Sequence, residues 1–357
     1  RLLHCGLDTA QRTLKRTTQR GIRHALHPLQ RRYRVDHLML NRRRLNDTFY
    51  TDTLFSKVKS MNGNTCAQVY SNGSFTKVFP MPDKTGARVG QTLTDFADDV
   101  GIPDTLVMDL APEQAGKHTE MQKEARRLRV RIRFTEKGRS EQNHTAEGEI
   151  GQLKRRWKHR MTTKNVPRCL WDYGLVHEAE VLSILARGKD QVPGLEKVLG
   201  QTIDISEYLD FGIWDLVWYW DQSKTSDMSD EQKKLGRWLG IAHRVGSEMT
   251  YWILTEHCKV IARSTVQHVL FADLQQETVK AKAARFERLI DENLRGRETI
   301  VNVPNVFYLD DEEMPDGGNA FTPTNEEYGD MLQDEKPEVD EEAFDNYLNA
   351  ELTIDRG

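Results

Sequence analysis

Residues 138–161 read GRSEQNHTAEGEIGQLKRRWKHRM, an acidic start that runs into a strongly basic end. Ala146, Ile150, Leu153, Trp157 and Met161 recur at helical spacing, which predicts an amphipathic helix with one packed face. At about 100° per residue, Glu147 falls on the flank of that stripe, in line with Lys154 and Lys158. A carboxylate beside two lysines on a half-buried face suits a metal with phosphate held next to it. A solvated face carrying Glu–Lys pairs accounts for the same residues. The other carboxylates that accompany Glu147 favour the first reading.

Two upstream segments carry an aspartate where a charge is costly. Residues 105–111, TLVMDLA, form a short apolar run with Asp109 near its end, as expected of a buried strand delivering a carboxylate to the C-terminal edge of a sheet. Residues 49–55, FYTDTLF, set Asp52 among bulky neighbours, where it needs a partner. Two carboxylates on strands and one on a helix match what a two-metal phosphoryl-transfer site requires, because hard cations prefer oxygen ligands and a pair of ions stabilises attacking and leaving oxygens.

In this order, Asp52, then Asp109 within MDLAPEQ, then Glu147 within EQNHTAE, the chain resembles the retroviral-type integrase core, and specifically the integrase region of copia-type LTR retrotransposon polyproteins. Gln142, Asn143, Ala146 and Glu147 match that family's Q-N-G-x-A-E pattern, with His144 at the glycine; Asp109 and Glu113 match its D-N-G-x-E-F pattern, with Leu110 and Ala111 at Asn-Gly. The likeness extends from about Leu2 to Leu270. It implies an RNase H-like core and a DDE-type polynucleotidyl transferase whose catalytic, metal-holding residues are Asp52, Asp109 and Glu147, with two Mg²⁺ (or Mn²⁺) ions. Lys154, Lys158 and Asn143 would then contact DNA, as would Arg129, Arg131 and Arg133.

Charge is polarised along the chain behind a net value of −4. Residues 1–44 hold twelve Arg and Lys against Asp8 and Asp36, whereas residues 310–357 hold seventeen acids against Lys336 and Arg356. Such asymmetry suggests a body that faces nucleic acid and a separate acidic tail. No apolar run reaches the ~18 residues of a membrane span, and no signal peptide is visible. Cys5, Cys66, Cys169 and Cys258 are scattered, which argues for reduced thiols. The expected setting is therefore intracellular, and the resemblance adds the nucleus at the integration step and the cytoplasm before it. Starting at Arg1, the chain reads as a fragment of a longer polyprotein.

Read in order, residues 1–46 form a basic N-terminal helical segment, with a helix over 8–19 and Asp8 as its N-cap. In the family this place holds a zinc module. Here His4 aligns with it, no C-x-x-C follows, and His24, His27 and His37 fit no standard four-ligand spacing, so no zinc is expected. Residues 47–189 form the core. Asn62-Gly63 and Asn72-Gly73 join three antiparallel strands; then come a helix (85–100), a strand (105–111), a helix (119–128), a strand (129–134) and the Glu147 helix. That is the RNase H-like order. In the last strand, Leu128, Val130, Ile132 and Phe134 alternate with a row of arginines, Arg127, Arg129, Arg131 and Arg133, which reads either as a DNA contact or as a charged edge that deters pairing. A helix over 166–187, with Trp171, Leu175, Ala179 and Leu182, would cover the sheet.

A connecting segment follows at 190–222, with an aromatic strand over 208–220 read mainly as core. Residues 223–272 resemble the SH3-like small β-barrel of retroelement integrases, with a mildly basic surface from Arg237, His243, Arg244, Lys259, Arg263 and His268. Residues 273–357 give a charged helix and then an acidic linker whose composition predicts disorder. The fold class is thus α/β. The expected function is retrotransposon integration, meaning DNA 3′-end processing and strand transfer, with DNA, a second copy of the chain and the reverse transcriptase region as partners. Two alternatives remain: an inactive remnant that only binds nucleic acid, and an RNase H-like nuclease.

Overall fold

The computed structural model describes residues 3–21, 42–109, 119–135, 144–187, 190–221, 233–246, 249–295 and 298–301. His24, His27, His37, Glu113, Gln142, Asn143, the 223–230 stretch and the acidic tail lie outside them.

Two five-stranded sheets organise the chain. In the first the order is β3-β2-β1-β4-β5, with β1 (Arg44–Phe55), β2 (Cys66–Ser71) and β3 (Thr76–Met81) antiparallel, and β4 (Ile102–Met108) and β5 (Arg131–Phe134) parallel to β1. The Asn72-Gly73 signal closes the β2–β3 hairpin as expected. Gly73 takes φ +85, which favours glycine, while the Asn72 side-chain oxygen accepts from the Ser74 and Phe75 amides. A mixed sheet with flanking helices in this order is what an RNase H-like core requires.

Strand side chains alternate between two cores. Phe49, Tyr70, Leu106 and Met108 pack against α2 (Gly86–Asp99) and α3 (Glu120–Leu128) through Val89, Leu93, Phe96, Met121 and Ala125. Leu54, Ala67, Val69 and Val78 share the other core with Ile150, Leu153 and Trp157 of α4 (His144–Lys164) and with Leu175 and Ala179 of α5 (Trp171–Ile184). The stripe predicted for the Glu147 helix is therefore its packed face: Ala146, Ile150, Leu153 and Trp157 are buried. Helix α1 (Leu7–Arg16) starts at Gly6 without a side-chain cap, and Asp8 sits in its first turn instead of capping it.

Two predicted elements are shorter than their sequence pattern. The chain leaves α3 through Arg129 in the left-handed conformation, φ 57, so β5 begins only at Arg131. Arg127 stays on the helix, paired with Glu124, which reduces the strand's arginine row to Arg131 and Arg133, both exposed. The aromatic run 208–220 divides into α7 (Ser206–Asp210) and β6 (Leu216–Trp220), separated by a turn in which Trp214 adopts φ 67. Ahead of that division, α6 (Gly194–Leu199) follows the predicted loop.

The second sheet has the order β10-β6-β7-β8-β9, adding β7 (Lys233–Ile241), β8 (Tyr251–Thr255), β9 (Val260–Arg263) and β10 (Val266–His268), all antiparallel. The expected barrel is not closed among the described residues, because β9 and β10 pair to opposite edges and not to each other. Only Ser264 and Thr265 separate them. Three peptide units span at most about 11 Å, so the sheet curls until its edges nearly meet there. Its first strand, β6, comes from the stretch read as a connection. Helices α8 (Phe271–Gln275) and α9 (Glu277–Asn293) follow, and Phe286 and Ile290 of α9 are buried.

Candidate active site

Asp52 and Asp109 are placed by one register. Parallel pairing of β1 with β4 sets Tyr50 beside Val107 and Thr51 beside Met108, and the next step along both chains brings Asp52 level with Asp109. Adjacent strands lie about 4.8 Å apart. Both aspartates fall on the face opposite Met108 and Phe49, which is the face covered by α4. Asp109, one residue past β4, accepts from the Thr135 hydroxyl at 2.9 Å; the Thr135 amide itself donates to Met108 O at 3.1 Å. The end of β5 thus orients the carboxylate at the end of β4.

Glu147 lies in the first turn of α4 and is exposed, while its neighbour two residues on turns inward. Glu149 is 8% exposed, pairs with Arg187 at 3.0 Å and accepts from the Thr76 hydroxyl at 3.0 Å. The helix therefore leaves Glu147 exposed and uses Glu149 to fasten itself to β3 and to the segment that follows α5.

The three charges act on one another at Asp52. Burial, the Asp109 charge and the Glu147 charge push its carboxyl up to about 6, against the Thr53 amide, which donates to it at 2.7 Å, and the Lys84 ammonium. Burial does most of this, and the two neighbouring carboxylates add to it, so the site carries an excess of negative charge. An all-oxygen, all-carboxylate donor set is the kind that hard divalent ions prefer. Among the described residues, however, no three Asp, Glu, His or Cys side chains stand close enough to hold a metal ion as they are. The donors fit a divalent ion in chemistry.

Two residues of this site carried no signal in the sequence. Lys84 follows β3, lies 5.6 Å from the Phe55 ring centroid, and is the cation that acts on Asp52. Thr135 follows β5. Neither lies in a motif with the aspartates, and only the strand order brings them there.

Lys154 is half-buried and Lys158 exposed on α4, with Arg131 and Arg133 exposed on the edge strand and Arg129 exposed at the α3 cap. The bases expected on the second sheet are largely engaged: Arg237 with Glu287, Arg244 with Asp99, His243 with Glu180, and Arg263 3.7 Å from Asp221. Trp214, Trp218 and Tyr219 are buried, as the core reading of that run holds, and Trp220 is 37% exposed. His4, which aligned with the zinc module, stacks on His159 with centroids 5.0 Å apart.

No family model matches the chain, and no curated protein matches it. Among solved structures, it is similar to a chain in the cryoEM structure of the simian T-cell lymphotropic virus intasome in complex with PP2A regulatory subunit B56 gamma. That match has 12% identity and a TM-score of 0.34, and covers 63% of this chain and 82% of that one. A likeness of that degree specifies neither fold nor chemistry. No helix among the described residues is long and apolar enough to cross a membrane.

Proposed function

We propose that the chain is an integrase-like polynucleotidyl transferase of the DDE type, of the copia-type retrotransposon kind, with Asp52, Asp109 and Glu147 as its catalytic carboxylates. The observation that carries this reading is the register that brings Asp52 level with Asp109 at the adjoining ends of two parallel strands, with Glu147 near enough for its charge to act on Asp52. Those residues would hold Mg²⁺ or Mn²⁺, and the ions, when bound, would neutralise charge on a phosphodiester undergoing in-line attack. The chain's own part is positional: Thr135 would aim Asp109, Lys84 would temper the carboxylate charge, and the packing of α4 through Ala146 and Trp157 would hold Glu147 for the same site. Lys154 and Lys158, with Arg129, Arg131, Arg133 and Asn143, would bind DNA ends and target through phosphate. On this reading the curled second sheet would stand where the family has its SH3-like domain. A second copy and the reverse transcriptase region of one polyprotein are the partners this reading supplies, and the nucleus, after a cytoplasmic phase, is where it would act.

A second reading, a nucleic-acid-binding chain without catalysis, is favoured by the departures from the family pattern, Leu110 and Ala111 at Asn-Gly and His144 at the glycine. A joining assay on linear DNA ends separates the two. The enzyme reading predicts Mg²⁺- or Mn²⁺-dependent cleavage and joining that Asp109→Asn lowers by about 100-fold or more, with salt-sensitive DNA binding kept within about twofold. Wild-type protein that binds DNA and joins nothing in either metal establishes the second reading; metal-dependent cutting without joining points to a nuclease.

A further inference from the structure

A cationic surface lies outside the carboxylate site and its neighbours. Exposed cations that make no side-chain hydrogen bond or ion pair among the described residues gather in three places. Arg129, Arg131 and Arg133 stand just before and on β5, and Arg155 and Lys158 stand on α4. The third group, Lys280, Arg285 and Arg288, stands on α9, which the catalytic reading leaves unused.

The spacing of these residues sets them on one half of the helix. At about 100° per residue, Lys280, Lys282, Arg285 and Arg288 spread across the side opposite Val279, Phe286 and Ile290, which are buried in the core shared with the second sheet. Arg237 of β7 donates to Glu287 at 3.0 Å, and the Trp218 indole of β6 donates to Asp273 of α8 at 3.3 Å. The two helices are thus fastened to that sheet with the cations of α9 turned outward. Glu277 and Glu292 lie three and four residues from Lys280 and Arg288, at helical pairing distance, yet neither pairs with them.

The bases of the sheet itself are mostly engaged by acids, so on this part of the chain α9 is where an anion meets grouped, uncommitted charge. At 1.5 Å per residue the block from Lys280 to Arg288 runs about 12 Å along the helix axis, and its cations line both flanks and the crown of the exposed half. That shape suits phosphates on the two walls of a groove, because the major groove of DNA, about 12 Å wide, admits a helix. Thr278, Ala281 and Ala284 are the other exposed residues among the cations, and none offers a ring on which an unpaired base could stack. Double-stranded DNA, held through its backbone, is therefore favoured over a single strand.

We propose that the outer face of α9 is a separate contact for double-stranded DNA, in which Lys280, Lys282, Arg285 and Arg288 bind backbone phosphates without reading sequence. This assignment rests on the nucleic-acid-binding half of the proposed function. The test is fluorescence anisotropy of a labelled blunt duplex with the full chain, repeated across a salt series. Arg285→Gln combined with Arg288→Gln is expected to weaken duplex binding about tenfold or more and to make the slope of log affinity against log salt shallower by about 2. Lys15→Gln combined with Lys59→Gln removes the same charge from two exposed cations elsewhere and should change that slope by less than about 0.5. Glu277→Gln combined with Glu292→Gln, which removes the acids at the two ends of the block, should tighten binding. A salt slope unchanged by the two α9 arginine substitutions overturns the proposal. So does an equal loss in the Lys15 and Lys59 variant, which would make the effect one of net charge, or a single strand that binds more tightly than the duplex and is the form weakened by the α9 substitutions. Wild type that binds no duplex overturns this contact together with the nucleic-acid-binding half of the proposed function. Wild type that joins no DNA ends while its salt slope responds to α9 as expected supports the contact and overturns the catalytic reading alone.

Discussion

Asp52 sets a tension between stability and function. Its folded-state carboxyl titrates near 6 against an ordinary 3.8, so the folded chain binds the proton more tightly than the unfolded one does. Stability from this group is complete at low pH, falls as pH rises from about 4 to about 6, and stays low above that. At about 1.36 kcal/mol per unit, the loss at neutral pH approaches 3 kcal/mol at most. Asp52→Asn should therefore be more stable than wild type at pH 7 by up to that amount, and equal to it near pH 3.5. Urea unfolding at both pH values checks this, and a variant no more stable at pH 7 would show that burial and the neighbouring charges do not raise this carboxyl. Glu147 and Asp109 were legible because motif and spacing mark them. Lys84 and Thr135 were not, because each reaches the site from a separate strand end, through tertiary placement that local patterns do not encode.

Helix α4 holds Glu147 in place through its contact with α5, and that contact turns on Gly174. A Cβ there would come within 2.1–2.4 Å of the Trp157 ring, which is 1% exposed and has no room to withdraw. Gly174→Ala is expected to lower stability by about 1–3 kcal/mol, with a matching drop in unfolding midpoint; a change under about 0.5 kcal/mol would show that the two helices can separate freely. The amphipathic stripe of α4 was readable from its period. The charges inside α5 were not, since Trp171, Leu175, Ala179 and Leu182 mark an apolar helix while His177, Glu178 and Glu180 between them are buried as well. Helix period cannot reveal that a helix packs on all sides. The shortening of β5 had a local cause, the left-handed Arg129, which an alternating pattern conceals.

Across the molecule, one buried carboxylate joins segments far apart in sequence. Glu178 is fully buried and pairs with Arg156, at 2.8 Å, and with Arg160; Arg156 also donates to the carbonyls of Leu3 and His4. Although burial pushes Glu178 up, its bond to His4 and the two guanidinium groups hold it down to about 2. Its contribution is present above about pH 4.5 and lost as pH falls toward 2. Glu178→Ala would leave two guanidinium groups, 13% and 5% exposed, without their counter-charge, and should lower stability by about 3–5 kcal/mol. A loss below about 1 kcal/mol would mean that the first residues are not anchored through this network. The order of strands and helices in the first sheet followed from turn signals and alternation. The curl of the second sheet did not, because it depends on β9 and β10 choosing opposite edges.

The central claim is that Asp52, Asp109 and Glu147 act as one metal site. Crystals of the chain grown with Mn²⁺ and measured for anomalous scattering test it most directly. The account predicts anomalous density between these three carboxylates, with oxygens about 2.0–2.2 Å from it, and loss of that density in Asp109→Asn. Density absent from this position in well-ordered crystals of the wild type, or centred on other residues, would contradict it.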